Sequence, residues 1–428
     1  MPTAPASTPS AHSLRAAMVD RTVAKRAMLD MPPLSAPEEQ ALRTVPRELF
    51  LPGLELTDVY AEQAVVTKRD QERGVALSSV SAPAIIATML HRADIRPGHR
   101  ILEIGSGGYN AALIRELTGA GGDVTSIDID PEVVDRAGRF LDHAGYRDVH
   151  VAAADGEHGF ARRAPYDRIL VTAGAWDVPP AWRDQLAPGG RMVVPMRIRG
   201  LTRCLTLERA AEGHWSCVAV DMCGFVRMQG AGEHWEPMPY LNDEPDRRVG
   251  LRLEDGPSAD VAALRRALAR EPDTVWSGVL VQAEEPTDDQ DLWIATAADE
   301  WALLTADREA IRSGLVTPTW ALGTPTLLNA DGTGFAYRTL RRHPTREGRW
   351  EFGAIGHGPQ ARATAERLCD LMAAWDRDLR GRPGPEITLH PVSKPDHRLP
   401  AGRVIDKRST RMVLNWTATT EEEKKEEL

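Results

Sequence analysis

The sequence predicts an α/β fold built on a doubly wound, mostly parallel sheet, with a second α+β region after it. Segments typical of strands and helices alternate between residues 100 and 195, which is the order of a parallel sheet covered on both faces. The apolar run Ile101-Leu-Glu-Ile-Gly105 leads into a glycine-rich loop that ends at Gly108. A second apolar run ends in Asp128. A glycine loop followed by a carboxylate after the next strand is typical of a nucleotide-binding α/β unit.

Three helices are predicted before the first strand of this sheet. Apolar residues recur at helical spacing over residues 14–28, and a short helix follows at 38–43. The third helix is predicted at 80–90. There Ser81 suits the N-cap and Pro83 the first turn.

The alternating segment contains strands of about six residues joined by amphipathic helices. The strands are predicted at 100–104, 123–128, 148–152, 167–172 and 190–195, and the helices at 109–118, 131–144 and 179–186. Two further β-like runs, 202–209 and 215–228, are predicted to form an antiparallel hairpin at one edge of the sheet.

The composition changes after Gly230. Residues 231–248 are rich in Pro, Glu and Asp without periodicity, which indicates a linker or a loop lying over the surface. The region beyond is predicted to contain helix 259–270, strand 275–283, an acidic loop 284–291, strand 292–296, mixed β structure at 318–355, helix 360–380 and strands 387–391 and 411–416. Most of the tryptophans lie here, so this half has its own core or a surface that grips a peptide.

The domain organisation follows from these changes. Residues 1–11 and the charged tail 417–428 are predicted to be disordered. The predicted units between them are an N-terminal helical segment with the substrate-side loop at 12–98, the sheet core at 99–230, a linker at 231–250 and a C-terminal accessory domain at 251–416.

Length and composition exclude several classes of protein. A chain of 428 residues is long enough for about two to three domains. The net charge of −10 argues against a nucleic-acid partner. The four cysteines form no CxxC pair, so free thiols in a reducing cytoplasm are favoured over disulfides. No apolar run approaches about 20 residues, and no signal peptide is evident. We therefore expect a cytoplasmic protein without a membrane partner.

The ends of four predicted strands indicate one ligand site. In an open α/β sheet, ligands bind at the carboxyl ends of the strands, where Gly105, Asp128, Asp155 and Thr172 would surround one ligand. The loop lacks the third glycine of a dinucleotide site. The order of residues instead suits S-adenosylmethionine, with Asp128 on the ribose and Asp155-Gly156 at the adenine. The alternative for both aspartates is a role in turn capping only.

Several separate motifs between residues 14 and 230 point to one family. They are, in chain order, Val45-Pro-Arg-Glu-Leu-Phe-Leu-Pro52, Tyr60-Ala-Glu62, Ser79-Val-Ser-Ala-Pro83, Leu102-Glu-Ile-Gly-Ser-Gly107, Ala154-Asp-Gly156 and Tyr166-Asp-Arg-Ile-Leu-Val-Thr-Ala173. Together they resemble the motifs of the protein-L-isoaspartate O-methyltransferases. The resemblance implies the Rossmann-like class I fold of S-adenosylmethionine-dependent methyltransferases and methyl transfer to a peptide carboxylate, without a metal.

The resemblance also implies roles for particular residues. Ser81 would lie beside the acceptor carboxylate and the donor methyl, with Ser79 supporting the loop; a helix N-cap alone is the alternative for Ser81. Tyr60, Val80 and Ala82 would contact the substrate. The implied contacts to S-adenosylmethionine, which leaves as S-adenosylhomocysteine, come from Glu103, Ile104, Gly105, Ser106, Gly107, Tyr109, Asp128, Ile129, Asp155, Gly156 and Thr172.

Two departures from the family pattern bear on the substrate. The loop Gly107-Gly-Tyr109 is one residue shorter than the usual form in repair enzymes of the family. The segment 64–74 before the serine loop is longer and more charged. In repair enzymes this segment helps to admit a flexible isoaspartyl peptide, so its change leaves open which peptide is accepted.

The chain resembles the FxLD-type methyltransferases of lanthipeptide and graspetide biosynthesis in three features, which are Ser78-Ser-Val-Ser-Ala-Pro83, Leu102-Glu-Ile-Gly-Ser-Gly-Gly-Tyr-Asn110 and a long C-terminal extension. That resemblance implies methylation of an L-aspartate in a ribosomally made precursor peptide that is already cyclised. The ester would close to an aspartimide, which persists or hydrolyses to isoaspartate. The C-terminal half would hold the precursor, with strand addition as one mode. The acidic residues between 284 and 291 suggest a cation site or, alternatively, a solvated loop.

Three functions therefore stay open. The first is an aspartate O-methyltransferase acting on a biosynthetic peptide. The second is a repair isoaspartyl methyltransferase with an accessory domain, and the third is a noncatalytic peptide-binding module. Nucleic-acid methylation is disfavoured, because no Asn/Asp-Pro-Pro-aromatic motif follows the strand at 167–172.

Overall fold

The computed structural model describes residues 9–71, 74–210, 213–254, 258–283 and 285–416. Most of both predicted disordered termini, and Glu284 of the acidic loop, lie outside the described residues. The described residues form a ten-stranded sheet, a six-stranded sheet and a two-stranded hairpin.

The helices and strands alternate through the first half of the chain as expected. The helices are α1 (Ala11–Met28), α2 (Ala36–Thr44), α3 (Leu56–Val59), α4 (Pro83–Ala93), α5 (Tyr109–Thr118), α6 (Pro131–Ala144), α7 (Pro180–Gln185), α8 (Val261–Leu268), α9 (Asp288–Ala297), α10 (Arg308–Arg312) and α11 (Ala361–Asp378). The strands are β1 (Val65–Arg69), β2 (Ala76–Val80), β3 (Arg100–Ile104), β4 (Asp123–Asp128), β5 (His150–Ala153), β6 (Tyr166–Val171), β7 (Leu186–Ile198), β8 (Leu201–Arg209), β9 (Trp215–Met222), β10 (Val249–Arg252), β11 (Asp273–Gln282), β12 (Trp301–Ala306), β13 (Thr324–Leu328), β14 (Phe335–Arg342), β15 (Arg349–His357), β16 (Glu386–Pro391), β17 (Arg403–Asp406) and β18 (Thr410–Asn415).

The larger sheet has the order β17-β18-β16-β9-β8-β7-β6-β3-β4-β5. Its pairs from β7 to β5 are parallel, which confirms the predicted doubly wound fold. Successive side chains of β3 enter different cores, Ile101 on one face and Leu102 on the other, because side chains of a strand alternate between faces.

The predicted hairpin at 202–209 and 215–228 forms as β8 and β9, but it does not lie at an edge. Trp215 and Ser216 of β9 pair with β16, which continues the sheet through β18 and β17. The sequence boundaries group these last strands with the accessory domain at 251–416. Their pairing partner lies far away along the chain, and a periodicity pattern carries no information about such a partner.

The smaller sheet has the order β10-β12-β13-β14-β15-β11, and all its pairs are antiparallel. Helix α11 packs on it through an apolar stripe that includes Leu368 and Trp375. The prediction of a loop at 284–291 and a strand at 292–296 was wrong, because residues Asp288–Ala297 form α9. This helix is buried on several sides, at Gln290, Leu292 and Ile294 among others, so its sequence lacks the one-sided apolar period of a surface helix.

The predicted linker 231–250 packs along the surface of the larger sheet. The ring of His234 stacks on Trp176 with centroids 4.0 Å apart, and Leu241 is buried in the core of the smaller sheet. No helix among the described residues is long and apolar enough to span a membrane.

Candidate active site

A cavity with a volume of about 800 Å³, which includes space open to solvent, lies at the carboxyl ends of β3, β4 and β6. Most of the predicted site residues line it together. They are Ser79, Val80, Ser81, Glu103, Ile104, Gly105, Ser106, Gly107, Tyr109, Asp128, Ile129, Gly156 and Thr172. Tyr60, Ala82 and Asp155 are not among the described residues that line it.

The glycine loop brings backbone to the cavity where no side chain would fit. Gly105 has φ of +102°, and a Cβ there would lie 2.5 Å from Oγ1 of Thr172. That hydroxyl donates to the carbonyl oxygen of Gly105 at 2.7 Å and so holds the loop to β6. Gly156 is equally constrained, because a Cβ would lie 2.5 Å from Cγ2 of Ile104. Only glycine at these positions leaves the cavity its shape.

Asp128 ends β4 beside this loop. Its Oδ2 accepts a hydrogen bond from the backbone N–H of Ser106 at 3.0 Å, and its Oδ1 accepts one from the N–H of Asp130 at 3.0 Å. Burial raises the pKa of Asp128, and the two backbone donors oppose this. Asp128 therefore caps turns, and each oxygen retains a further lone pair at the cavity. The Ser106 hydroxyl is buried there and has no hydrogen-bond partner among the described residues.

Glu103 lies fully buried at the end of β3. Its carboxylate accepts hydrogen bonds from Asn110 Nδ2 at 2.7 Å and from the hydroxyl of Ser126. Burial raises the pKa of Glu103 to about 7, although both donors favour the charged form. A carboxylate with two donors and a raised pKa indicates a functional position rather than packing alone.

Asp155 differs from the prediction. Its Oδ1 accepts from the N–H of Glu157 at 3.0 Å, and its Oδ2 accepts from the N–H of Ala231 at 2.8 Å. The carboxylate thus ties a 3₁₀ turn (Gly156–His158) to the segment after β9, and Gly156, not Asp155, lines the cavity. The turn-capping alternative describes the contacts of Asp155 in the structure.

The serine loop forms the opposite wall. Hairpin β1–β2, which the sequence analysis did not predict, carries Ser79 and Val80 to the cavity, and Ser81 follows it. The predicted N-cap role of Ser81 was wrong, because Ala82 is the N-cap residue of α4 and Pro83 begins the helix. Ser81 lies one residue before the N-cap position, which is the position whose side chain accepts from the first N–H groups of a helix.

Arg47, from the first family motif, fixes the serine loop. Its guanidinium is buried and donates to the carbonyl oxygens of Ser81 at 3.0 Å and Val59 at 2.9 Å. Burial lowers the pKa of Arg47. Tyr60 lies next to Val59 but is buried, with its hydroxyl donating to Glu48. Tyr60 is not among the described residues that line the cavity, and its contact with the substrate stays a prediction.

The sequence analysis missed one segment of the cavity, the chain that follows β9. Residues 226–229 line the cavity, and Gln229 Nε2 donates to the carbonyl oxygen of Leu77 in β2 at 3.4 Å. The N–H of Gly174 donates to the carbonyl oxygen of Val226 at 2.7 Å. The sequence analysis places residues 226–228 in a β-like run without a role at the ligand site, whereas the strand ends at Met222. Only the apolar residues between Gly224 and Gly230 could have indicated that this segment lines a cavity.

The residues present fit S-adenosylmethionine. A glycine cradle, a carboxylate at the next strand end and an unpartnered buried hydroxyl are the donor and acceptor set that its amino acid and ribose groups require. Fold and site together define a class I S-adenosylmethionine-dependent methyltransferase.

Comparisons with known proteins agree with this class. Residues 35–232 match the family described as protein-L-isoaspartate(D-aspartate) O-methyltransferase (PCMT). The protein-L-isoaspartate O-methyltransferase of Methanopyrus kandleri is 38% identical over 200 residues, which are 46% of this chain and 85% of that protein. The protein-L-isoaspartate O-methyltransferase of Methanococcoides burtonii is 44% identical over 191 residues, which are 44% of this chain and 90% of that protein. A solved protein-L-isoaspartate O-methyltransferase structure aligns with TM-score 0.47 and 19% identity over 87% of this chain and 96% of that chain.

The chain belongs to the protein-L-isoaspartate O-methyltransferase family. It is a carboxyl O-methyltransferase that uses S-adenosylmethionine, which confirms the predicted family, enzyme class and cofactor. The FxLD-type subgroup stays a prediction.

Proposed function

We propose that the enzyme methylates the side-chain carboxylate of an L-aspartate in a ribosomally made precursor peptide. The observation that carries the proposal is an open groove, formed in part by the C-terminal sheet, whose lining lies only a few residues along the chain from the lining of the cavity. A repair enzyme needs only the cavity, whereas an enzyme with one long peptide substrate gains from a second contact surface.

The cofactor side is assigned as follows. Gly105 and Gly107 would admit the methionine end of S-adenosylmethionine, Asp128 would accept hydrogen bonds from the ribose, and Gly156 would lie at the adenine. When bound, the cofactor supplies a methyl group on a positively charged sulfur. Glu103 would support the glycine loop by accepting a hydrogen bond from Asn110, which lies in the first turn of α5 directly after that loop.

The acceptor side requires positioning rather than proton removal. An aspartate side chain is already ionised near neutral pH, so no general base is needed. Ser81 and Ser79 would orient the acceptor carboxylate at the cavity wall opposite the glycine loop, and Arg47 would hold their backbone in place. Such orientation of the reacting groups supplies much of the rate in displacements of this kind.

The methyl ester formed in this way activates the aspartate. The backbone nitrogen of the next residue attacks the ester carbonyl and loses its proton, methoxide leaves with that proton as methanol, and an aspartimide ring closes. The ring persists or hydrolyses to isoaspartate. The same ring forms in repair, which starts from the methyl ester of the opposite, isoaspartyl isomer.

The groove lies between hairpin β8–β9 and the smaller sheet, with a volume of about 1340 Å³ that includes space open to solvent. Met222, Trp320 and Leu322 line it and are 50%, 61% and 67% exposed. Large exposed apolar side chains grouped at one groove mark an interaction site. The lining also includes the charged residues Arg203, Arg252, Glu285 and Asp288. The occupant would therefore be an extended segment of the peptide that carries the acceptor, with both apolar and polar side chains.

The residues that line the groove and those that line the cavity come close together along the chain after β9. Met222 and Cys223 line the groove, and the cavity lining resumes at Val226. Three residues of chain span at most about 10 Å. A peptide with its aspartate in the cavity would therefore reach the groove within about three to four residues in an extended conformation.

Family membership favours one alternative, the repair of isoaspartyl residues in damaged proteins. Mass spectrometry separates the two functions. The enzyme is incubated with S-adenosylmethionine and one of three acceptors, which are an isoaspartyl peptide, its L-aspartyl isomer and a precursor encoded beside the gene. Conversion of the L-aspartyl peptide to a product lighter by one water supports the proposal. Methylation confined to the isoaspartyl isomer contradicts it.

Point variants test the groove better than truncation. Removal of the chain beyond residue 240 would delete β16–β18 of the larger sheet. We expect Trp320→Ala with Leu322→Ser to raise KM for the long precursor about 10-fold and to leave a short acceptor peptide unaffected. Leu29→Ser, at an exposed apolar residue of the N-terminal segment, is the control. An equal KM for the precursor in the wild type and in the double variant would exclude the groove as a binding surface.

A further inference from the structure

A lysine on the hairpin before the serine loop contacts the helix that follows the ribose-side strand. Lys68 Nζ lies 2.6 Å from Oδ2 of Asp130 and 2.6 Å from Oε2 of Glu132. Asp130 is the N-cap residue of α6, where its Oδ1 accepts from the N–H of Glu132 at 3.0 Å. The hydrogen bonds to Asp130 and Glu132 raise the pKa of Lys68, so the ammonium is charged throughout the neutral range.

Hydrogen bonds connect this contact to residues that line the cavity, both through Asp130 and through the hairpin. The N–H of Asp130 donates to Oδ1 of Asp128 at 3.0 Å, on the ribose side. On the hairpin, Thr67 Oγ1 donates to Oγ of Ser78 at 3.0 Å, and Ser78 lines the cavity. Arg136 of α6 donates to the same Thr67 hydroxyl at 3.3 Å. The hairpin is therefore attached to α6 by an ion-pair cluster and a neighbouring hydrogen bond.

We infer that Lys68 is a positioning residue that fastens the β1–β2 hairpin, and with it the serine loop, to the ribose end of the cofactor cavity. Lys68 and Thr67 belong to the charged segment that departs from the family pattern, and this attachment gives these two residues a structural role. Retention of the cofactor and alignment of the acceptor then depend on the same cluster. The acceptor part of the inference rests on the proposed function; the cofactor part does not.

Ion pairs at the surface are individually weak. Here one ammonium binds two carboxylates. Lys68 and Asp130 are 30% and 21% exposed, whereas Glu132 is 81% exposed, so the contact with Asp130 is the less screened of the two. The hairpin contributes Leu77 through Val80 to the cavity wall, so its release would open the wall beside the cofactor. A loss of several-fold in cofactor affinity is the expected scale.

The test uses the full chain, S-adenosylhomocysteine and a short L-aspartyl acceptor peptide. We expect Lys68→Met to weaken S-adenosylhomocysteine binding about 5-fold by calorimetry, to speed its release and to raise KM for the peptide, with kcat within about 2-fold. Lys68→Arg should restore all three. Added salt should weaken binding in the wild type by screening the Lys68 ion pairs, and it should have less effect on Lys68→Met, which lacks them.

Arg69→Met is the matched control. It removes a neighbouring cation from the same strand, where Arg69 donates to the carbonyl oxygen of Gly74 at 3.2 Å. An equal loss in Arg69→Met would assign the effect to hairpin stability and overturn the inference. Unchanged S-adenosylhomocysteine affinity in Lys68→Met would overturn it as well. Absence of methylation of any peptide by the wild type would contradict the proposed function instead, and the affinity measurement would still decide the role of Lys68.

Discussion

The two walls of the cavity are built in different ways. The cofactor wall consists of residues at the ends of neighbouring parallel strands, where Ile104 of β3 pairs with Ile127 of β4 and the N–H of Gly105 donates to the carbonyl oxygen of Ile127 at 2.8 Å. The acceptor wall consists of a hairpin, the serine loop and the segment 226–229, which contact one another through long-range hydrogen bonds.

This difference predicts which of the two walls tolerates amino-acid substitution. Strand ends are fixed by the register of the sheet, so a small change at Gly105 has no means of relaxing. Loops are supported by a few contacts and vary more readily. Variation among family members in substrate is therefore expected in the acceptor wall, and the variants below compare the two walls directly.

The largest effect is expected at Gly105. Gly105→Val adds a β-branched side chain where φ is +102° and where even a Cβ would lie 2.5 Å from Thr172 Oγ1. We expect S-adenosylhomocysteine affinity to fall about 1000-fold, which calorimetry measures. Gly119→Ala is the control, because Gly119 also has a positive φ but no atom within 4 Å of the added Cβ. Retained affinity in Gly105→Val would mean that the loop does not hold the cofactor.

The next effect concerns the charge of Glu103. Its pKa is raised by burial from 4.5 to about 7, so the unfolded chain releases this proton at lower pH than the folded protein. The free energy of unfolding of the ligand-free protein should therefore fall by about 3 kcal/mol between pH 4.5 and pH 7 and level off above that.

Urea unfolding of the wild type and of Glu103→Gln across this range checks the assignment. The variant cannot ionise, so this part of the pH dependence should vanish. Glu366→Gln, at an exposed glutamate of α11, should keep the wild-type profile. Identical profiles for the wild type and Glu103→Gln would assign the pH dependence to other groups.

A smaller effect is expected at Asp128. Asp128→Asn keeps one acceptor oxygen but loses the charge, and a charged hydrogen bond contributes about 1.5–3 kcal/mol. We expect S-adenosylhomocysteine to bind about 20-fold more weakly, with a modest loss of thermal stability from the two turn contacts. A lower Tm with unchanged affinity would restrict Asp128 to turn capping.

The smallest effect is expected on the acceptor wall. Ser81→Ala removes one hydroxyl while Arg47 still holds the backbone of residue 81. We expect kcat to fall about 10-fold, the cost of one hydrogen bond in the transition state, and S-adenosylhomocysteine affinity to stay near the wild-type value. An unchanged kcat would remove Ser81 from the reaction, and a loss of cofactor affinity alone would move it to the other wall.

The cofactor wall could be read from the sequence because its information is local. An apolar strand, a glycine turn and an acidic residue after the next strand are neighbours along the chain, and parallel pairing then brings them to one edge. Asp155 is the exception, because its carboxylate accepts a hydrogen bond from the backbone N–H of Ala231, which is distant along the chain.

The sequence alone therefore determined the α/β class, the cofactor and the strand ends that surround it. Only the tertiary structure decided that β16–β18 extend the larger sheet, that residues 292–296 are helical, and that Lys68 joins the hairpin to α6. Each of these depends on contacts between residues distant in the chain, whose pairing is set by the shape and burial of the whole fold rather than by local periodicity.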